Sequence, residues 1–119
     1  MSEHHGRCHC GEVTIALRDD PTEAAECSCS LCRRLAGLWR YTAPGNVTVT
    51  GAAVAYRQGD CSLDTWHCAR CGCTTHWTPL RPGLDRMGVN ARMMDPSIVA
   101  TTDVKRVDGA AGTWAEIVD

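Results

Sequence analysis

The chain has 119 residues, a length that fits one domain over 1–119, and 12 basic against 14 acidic side chains for a formal charge of −2. With no basic run longer than Arg33-Arg34 or Lys105-Arg106, it carries no electrostatic footprint for nucleic acid. No stretch approaches the ~20 apolar residues of a membrane helix. The opening Met1-Ser2-Glu3-His4-His5-Gly6-Arg7 lacks the apolar core of a secretory signal, so the expected compartment is the cytoplasm, where thiols stay reduced.

Along the chain, residues 12–17 alternate Val13, Ile15 and Leu17 with Thr14 and Ala16, the pattern of a half-buried strand. Asp19-Asp20-Pro21 ends it. Residues 31–36 read as one or two helical turns stopped by Gly37. Strands are expected over 38–43, 47–50, 53–57, 63–67, 74–78 and 86–90, separated by the turns Pro44-Gly45-Asn46 and Gln58-Gly59-Asp60. Met94-Asp95-Pro96 reads as a turn and 98–100 as a last strand. The Gly/Ala-rich tail from residue 108 is expected to dock through Trp114. Short strands with frequent turns and no long helical period predict a mainly β domain with little helix. Its core is thin: there is no Phe, and the aromatics are four Trp and two Tyr.

Seven of the nine cysteines fall into three clusters: Cys8-His9-Cys10, Cys27-Ser28-Cys29-Ser30-Leu31-Cys32 and Cys68-Ala69-Arg70-Cys71. Structural zinc takes four ligands, whereas a zinc that does chemistry keeps three and leaves one position open. Cys68 and Cys71 form a knuckle whose tight turn is eased by Gly72. Cys8 and Cys10, two apart on a strand, would point the same way. Together they make a closed tetrathiolate staple, whose binding energy would become folding energy in a chain with so little core. The odd count and the missing signal weigh against the alternative, a disulfide framework.

The middle cluster supplies three thiolates. Its fourth ligand is water, substrate, Cys61, Cys73 or a histidine, and closure by Cys61 or Cys73 would make both sites structural. Three thiolates give the site a net charge of −1. That makes hydroxide generation harder than at a three-histidine site and favours capture of a thiol as its thiolate. Arg33 and Arg34 either offset this charge or are solvated surface charges. The H-x-E plus P-C-x-x-C signature of zinc deaminases is absent, as is the H-E-x-x-H of metalloproteases.

The ordered motifs C-H-C-G, C-S-C-S-L-C-R-R, W-H-C-A-R-C-G-C-T-T-H-W and R-M-G-V-N-A-R-M-M-D make the chain resemble the glutathione-dependent formaldehyde-activating enzymes, a family that includes the centromere protein V-like domains. The resemblance runs from about residue 6 to about residue 95. It implies a zinc-ribbon-like β-sandwich of short antiparallel strands, similar to methionine-R-sulfoxide reductases. It implies a structural zinc on Cys8, Cys10, Cys68 and Cys71 and a second zinc on Cys27, Cys29 and Cys32. The implied activity is a carbon–sulfur lyase reaction joining glutathione and formaldehyde as S-(hydroxymethyl)glutathione. A non-catalytic zinc-stabilised thiol-binding or interaction module is the alternative, and a thiol redox enzyme a weaker third. Arg33, Arg34, Arg70 and Arg92 are the cations available to the carboxylates of such a thiol. His67 and His76 are either a proton relay or hydrogen-bonded structural histidines. Trp39, Trp66 and Trp77 line a pocket or form the core.

Overall fold

The computed structural model describes residues 3–57, 59 and 62–109. Cys61, Trp114 and most of the turn expected at 58–60 lie outside the described residues. In chain order the elements are β1 (His4–Arg7), β2 (Thr14–Leu17), β3 (Glu23–Cys27), α1 (Cys32–Leu35), β4 (Trp39–Thr42), β5 (Val47–Thr50), β6 (Ala53–Arg57), β7 (Leu63–Cys68), β8 (Thr74–Pro79), β9 (Met87–Asn90), α2 (Pro96–Thr101) and β10 (Asp103–Val107). The domain is mainly β, as expected.

The strands form two sheets, one ordered β1-β2-β5 and the other β10-β3-β4-β9-β8-β7-β6. In the small sheet the period-two pattern puts Ile15, Leu17, Val47 and Val49 on one face and Thr14, Ala16, Thr48 and Thr50 on the other. The apolar face packs on Met87, Val89 and Met94, with Ile15, Leu17 and Val89 essentially inaccessible. Each such side chain contributes about 1.5–3 kcal/mol.

One pairing departs from the antiparallel pattern. Strand β10 runs parallel to β3, with Val107 opposite Cys27. This brings residues near the end of the described chain back to the middle cysteine cluster. Neither strand shows an alternating apolar signal, which is why both were absent from the sequence reading.

Two local expectations are corrected. Residues 98–100 belong to helix α2, not to a strand. The Asp95 side chain accepts from the Ser97 N–H as an N-cap, and Pro96 takes the first helical position. The left-handed residue that ends α1 is Ala36, at φ 55°, whose N–H reaches the Cys32 carbonyl, not Gly37. Gly37 has a packing role: a Cβ there would stand 2.7 Å from the Trp39 indole.

The large sheet has a second face, turned away from the small sheet. Register places Ala25 and Cys27 of β3, Trp39 and Tyr41 of β4, Gly88 of β9 and Trp77 of β8 along it. Trp77 lies flat because position 88 is glycine: a Cβ there would fall 2.0 Å from Trp77 Nε1.

Candidate metal centres

The first centre joins two turns. Cys8 and Cys10 sit just after β1, Cys68 ends β7, and Cys71 lies in the turn to β8. Their four sulfurs lie within 4.8 Å of one another. The Sγ atoms of Cys8 and Cys10 are 3.6 Å apart, as are those of Cys10 and Cys68. That is far beyond an S–S bond of about 2.05 Å. A tetrahedral ion at the usual zinc–thiolate length would set them about 3.8 Å apart. Every described cysteine is a free thiol.

Backbone donors serve these sulfurs. The Val13 N–H points at Cys8 Sγ (3.3 Å), and the N–H groups of Arg70 and Cys71 point at Cys68 Sγ (3.3 and 3.4 Å). The N–H groups of Cys73 and Cys10 hold the Cys71 thiol down at about 5, since a donor stabilises the thiolate. Cys8 and Cys10 do not use strand geometry. They occupy a turn closed by Gly11 N–H to the Cys8 carbonyl, with Gly11 at φ 84°, matching Gly72 at φ 81° in the other turn. The cluster packs with Val13, Val49, Ala53 and Met93 and so replaces a larger apolar core at this end. Cys73, one candidate for closing the other centre, packs here instead, with the His9 N–H facing its sulfur.

The second centre is local in sequence. Cys27 ends β3, Cys29 lies in the following turn and Cys32 opens α1. Their sulfurs also lie within 4.8 Å of one another, and among the described residues no further His, Cys, Asp or Glu joins them. The Cys32 N–H donates to Cys29 Sγ at 3.3 Å. Burial pushes the Cys27 and Cys32 thiols up. Burial opposes ionisation of Cys29 as well, but the Cys32 N–H and the neighbouring thiols outweigh it and lower its pKa.

Three features fit this donor set to a metal. The Trp39 Nε1–H is buried with no hydrogen-bond partner in place, and it faces Cys32, whose pKa it lowers. A buried indole N–H ordinarily finds an acceptor, and a Cys32 thiolate is one. The chain also closes tightly over Cys27. The Ser28 N–H continues the parallel pairing to the Val107 carbonyl (3.0 Å), and Ser28 Oγ donates to Asp108 Oδ1 (3.4 Å). Gly109 follows, and a Cβ on it would lie 2.4 Å from Cys27 Sγ and 2.8 Å from Cys29 Cβ. The cradle admits glycine alone.

The arginines fall around this centre in different roles. Arg34 donates to the Ser30 carbonyl (2.7 Å) and Arg92 to the Ala36 carbonyl (2.7 Å), so both brace the α1 turn. Arg33 is exposed beside Cys32, and Arg70 is exposed in the other knuckle. His76 is buried, hydrogen-bonded through Nδ1 to Thr75 Oγ1 (2.8 Å) and stacked on Trp66. Burial depresses its pKa to about 4, so it is a neutral structural residue. His67 pairs opposite Val54 on β7. Trp39, Trp66 and Trp77 all sit on the large sheet. Sequence reasoning missed Gly109, which only the parallel return of β10 reveals.

No curated protein matches the chain. Among solved structures it is similar to a protein of Rhodobacter sphaeroides, at 29% identity and a TM-score of 0.69, covering 84% of this chain and 98% of that one. The family model described as glutathione-dependent formaldehyde-activating enzyme matches residues 3–108, a span that takes in both cysteine centres. The chain belongs to the glutathione-dependent formaldehyde-activating enzyme family.

Proposed function

We propose that this chain is a zinc-dependent carbon–sulfur lyase that forms and cleaves a thiol–aldehyde adduct of the S-(hydroxymethyl)glutathione type. Cys8, Cys10, Cys68 and Cys71 would hold a structural zinc, and Cys27, Cys29 and Cys32 a second, reactive one. The observation that carries this reading is the asymmetry of the two centres: four converging sulfurs in one, three in the other among the described residues. Zinc bound by three thiolates supplies acid strength enough to hold an incoming thiol as its thiolate.

The chain's own residues do the rest. The N–H of Cys32 and the indole of Trp39 spread the negative charge of the sulfurs. Gly109 and Val107 exclude water from the Cys27 side. In the reaction the thiol S–H bond breaks and a sulfur lone pair forms the C–S bond. The carbonyl π pair moves onto oxygen, which gains the proton the thiol gave up. Cleavage is the reverse. Arg33 is the cation best placed beside Cys32 for a carboxylate of the thiol, since the guanidinium groups of Arg34 and Arg92 are engaged with carbonyls.

The test is Cys29→Ser. The variant should stay folded, retain one metal of two and form adduct no faster than the uncatalysed reaction. Adduct formation at the wild-type rate by a one-metal Cys29→Ser protein would place catalysis elsewhere. A wild type that binds the thiol without accelerating adduct formation would identify a thiol-binding module instead.

A further inference from the structure

We infer that Trp39 is a positioning residue of the three-cysteine centre: its indole N–H donates to the Cys32 thiolate when a metal is bound, and that hydrogen bond governs how firmly the centre holds the metal. This rests on the reading of Cys27, Cys29 and Cys32 as metal ligands, and it stands whether or not the chain turns over a thiol–aldehyde adduct.

Among the described residues, Trp39 Nε1 alone is a buried side-chain nitrogen or oxygen with no hydrogen-bond partner. The residue is 1% exposed, so water does not serve it. Polar groups at such depth are ordinarily paired. The main chain aims this one at α1. Trp39 opens β4 opposite Ala25, on the sheet face that also bears Cys27. A Cβ on Gly37 would fall 2.8 Å from Cε2, the ring carbon that carries Nε1, and 2.7 Å from Cζ2. The nitrogen side of the ring therefore lies against Gly37, the second residue past α1. Ala36, between that helix and Gly37, closes the turn by donating to the Cys32 carbonyl at 2.9 Å. Burial and the neighbouring cysteines oppose ionisation of Cys32, and the indole acts the other way.

The Asn90-Ala91-Arg92 part of the last sequence motif holds this arrangement. The Asn90 side chain accepts from the Leu38 N–H (3.2 Å) and donates to the Thr74 carbonyl (2.8 Å). The Ala91 N–H donates to the Leu38 carbonyl (2.7 Å), and Arg92 Nε to the Ala36 carbonyl (2.7 Å). The residues on either side of Gly37 are thus pinned, and the backbone that carries the ring is fixed before any metal arrives.

Charge supplies the rest. A protonated thiol is a weak acceptor, whereas a metal-bound thiolate carries charge and accepts a stronger hydrogen bond. The indole N–H therefore favours the metal-bound form of Cys32 over the protonated one. A donor that orients a ligand in this way raises the affinity of the centre for its metal.

Trp39→Phe keeps an aromatic ring at this position and removes the N–H. The metal of Cys27, Cys29 and Cys32 should be released at about 10-fold lower chelator concentration, with the four-cysteine centre unchanged. Trp77→Phe, the same exchange on the same sheet face, should release it like the wild type. Two further readouts separate a hydrogen bond from packing. With cobalt(II) in the three-cysteine centre, the sulfur-to-cobalt charge-transfer band should move to longer wavelength in Trp39→Phe, because a thiolate that loses a donor gives up its electron more readily. In the isotope-labelled wild type, the Trp39 indole N–H resonance should move downfield when zinc is added back to the chelated protein. An unmoved resonance overturns the inference even if Trp39→Phe fails to fold. Wild-type chelator resistance in Trp39→Phe, or an unshifted cobalt band, overturns it as well, and all three leave the lyase reading intact. A wild-type protein that takes up a single metal overturns the second centre, and with it both this inference and the lyase reading.

Discussion

Gly109→Ala puts a single methyl group against the three-cysteine centre. Gly109 does not need a left-handed φ, so alanine carries no backbone strain and its effect is steric. The new Cβ would stand 2.4 Å from Cys27 Sγ, 2.8 Å from Cys29 Cβ and 3.1 Å from Cys29 N. None of these atoms is the free end of a flexible chain. Cys27 is 5% exposed and locked by the parallel pairing with Val107. Relief therefore means moving the β10 end or the sulfur. Overpacking of this kind costs about 1–3 kcal/mol. If the sulfur moves, metal affinity should fall by about 10–100-fold, the usual effect of disturbing a residue that orients a ligand. Titration with a chromophoric chelator should release the metal of Cys27, Cys29 and Cys32 at lower chelator concentration than in the wild type. Release from the four-cysteine centre should be unchanged. Gly45→Ala, where a Cβ meets nothing within 4 Å, is the control. Equal chelator resistance and equal melting temperature for Gly109→Ala and wild type would refute the claim that this glycine seals the centre.

The two centres should differ sharply under mutation. Cys68→Ser removes a buried sulfur that accepts two backbone N–H groups and ties β7 to the N-terminal turn. It should abolish the cooperative unfolding transition seen by circular dichroism, whereas a normal melting curve would remove the staple from the folding argument. His76 sets a pH dependence of stability. Its folded pKa, about 4, lies below the unfolded value of about 6.5, so the unfolded chain binds more protons between the two. Stability is full above pH 6.5 and declines as pH falls toward 4, by on the order of 3 kcal/mol. Urea unfolding at pH 7 and pH 4 should show this extra acid loss in the wild type relative to His76→Phe, which keeps the stack on Trp66. Parallel pH slopes in the two proteins would contradict it.

How much of this was legible in the sequence depended on whether a local rule was decisive. Strands β5 and β6 lie where 47–50 and 53–57 were expected, because Val47 to Thr50 are all β-branched, Val54 and Tyr56 alternate with alanines, and Gly51 separates the two runs. The cysteine sets were legible because sulfur ligation needs close spacing. Strand β3, Glu-Ala-Ala-Glu-Cys, has small and charged residues with little intrinsic preference for a sheet. It is a strand because β10 and β4 cover its two edges, a tertiary fact. Strand β10, Asp-Val-Lys-Arg-Val, is mostly exposed at the sheet edge and lacks a buried face to declare itself. Ile98 and Val99 suggested a strand by β-branching, while the stronger Asp95-Pro96 helix start went unread. Gly109 matters through partners distant in sequence, Cys27 and Cys29, and no single-chain pattern marks such pairs.

The parallel return of β10 onto β3 also imposes an order on biosynthesis. The four-sulfur set is complete once residue 71 has left the ribosome, so the staple can load and fix the β7–β8 turn early. Cys27, Cys29 and Cys32 emerge sooner still, yet their cover at Val107 and Gly109 arrives roughly 4–16 s later at ordinary elongation rates. For that interval Cys27, buried in the finished fold, is as open to oxidants and competing metals as its partly exposed neighbours Cys29 and Cys32. Cells short of zinc or under oxidative stress should accumulate chains stapled at one end and damaged at the other.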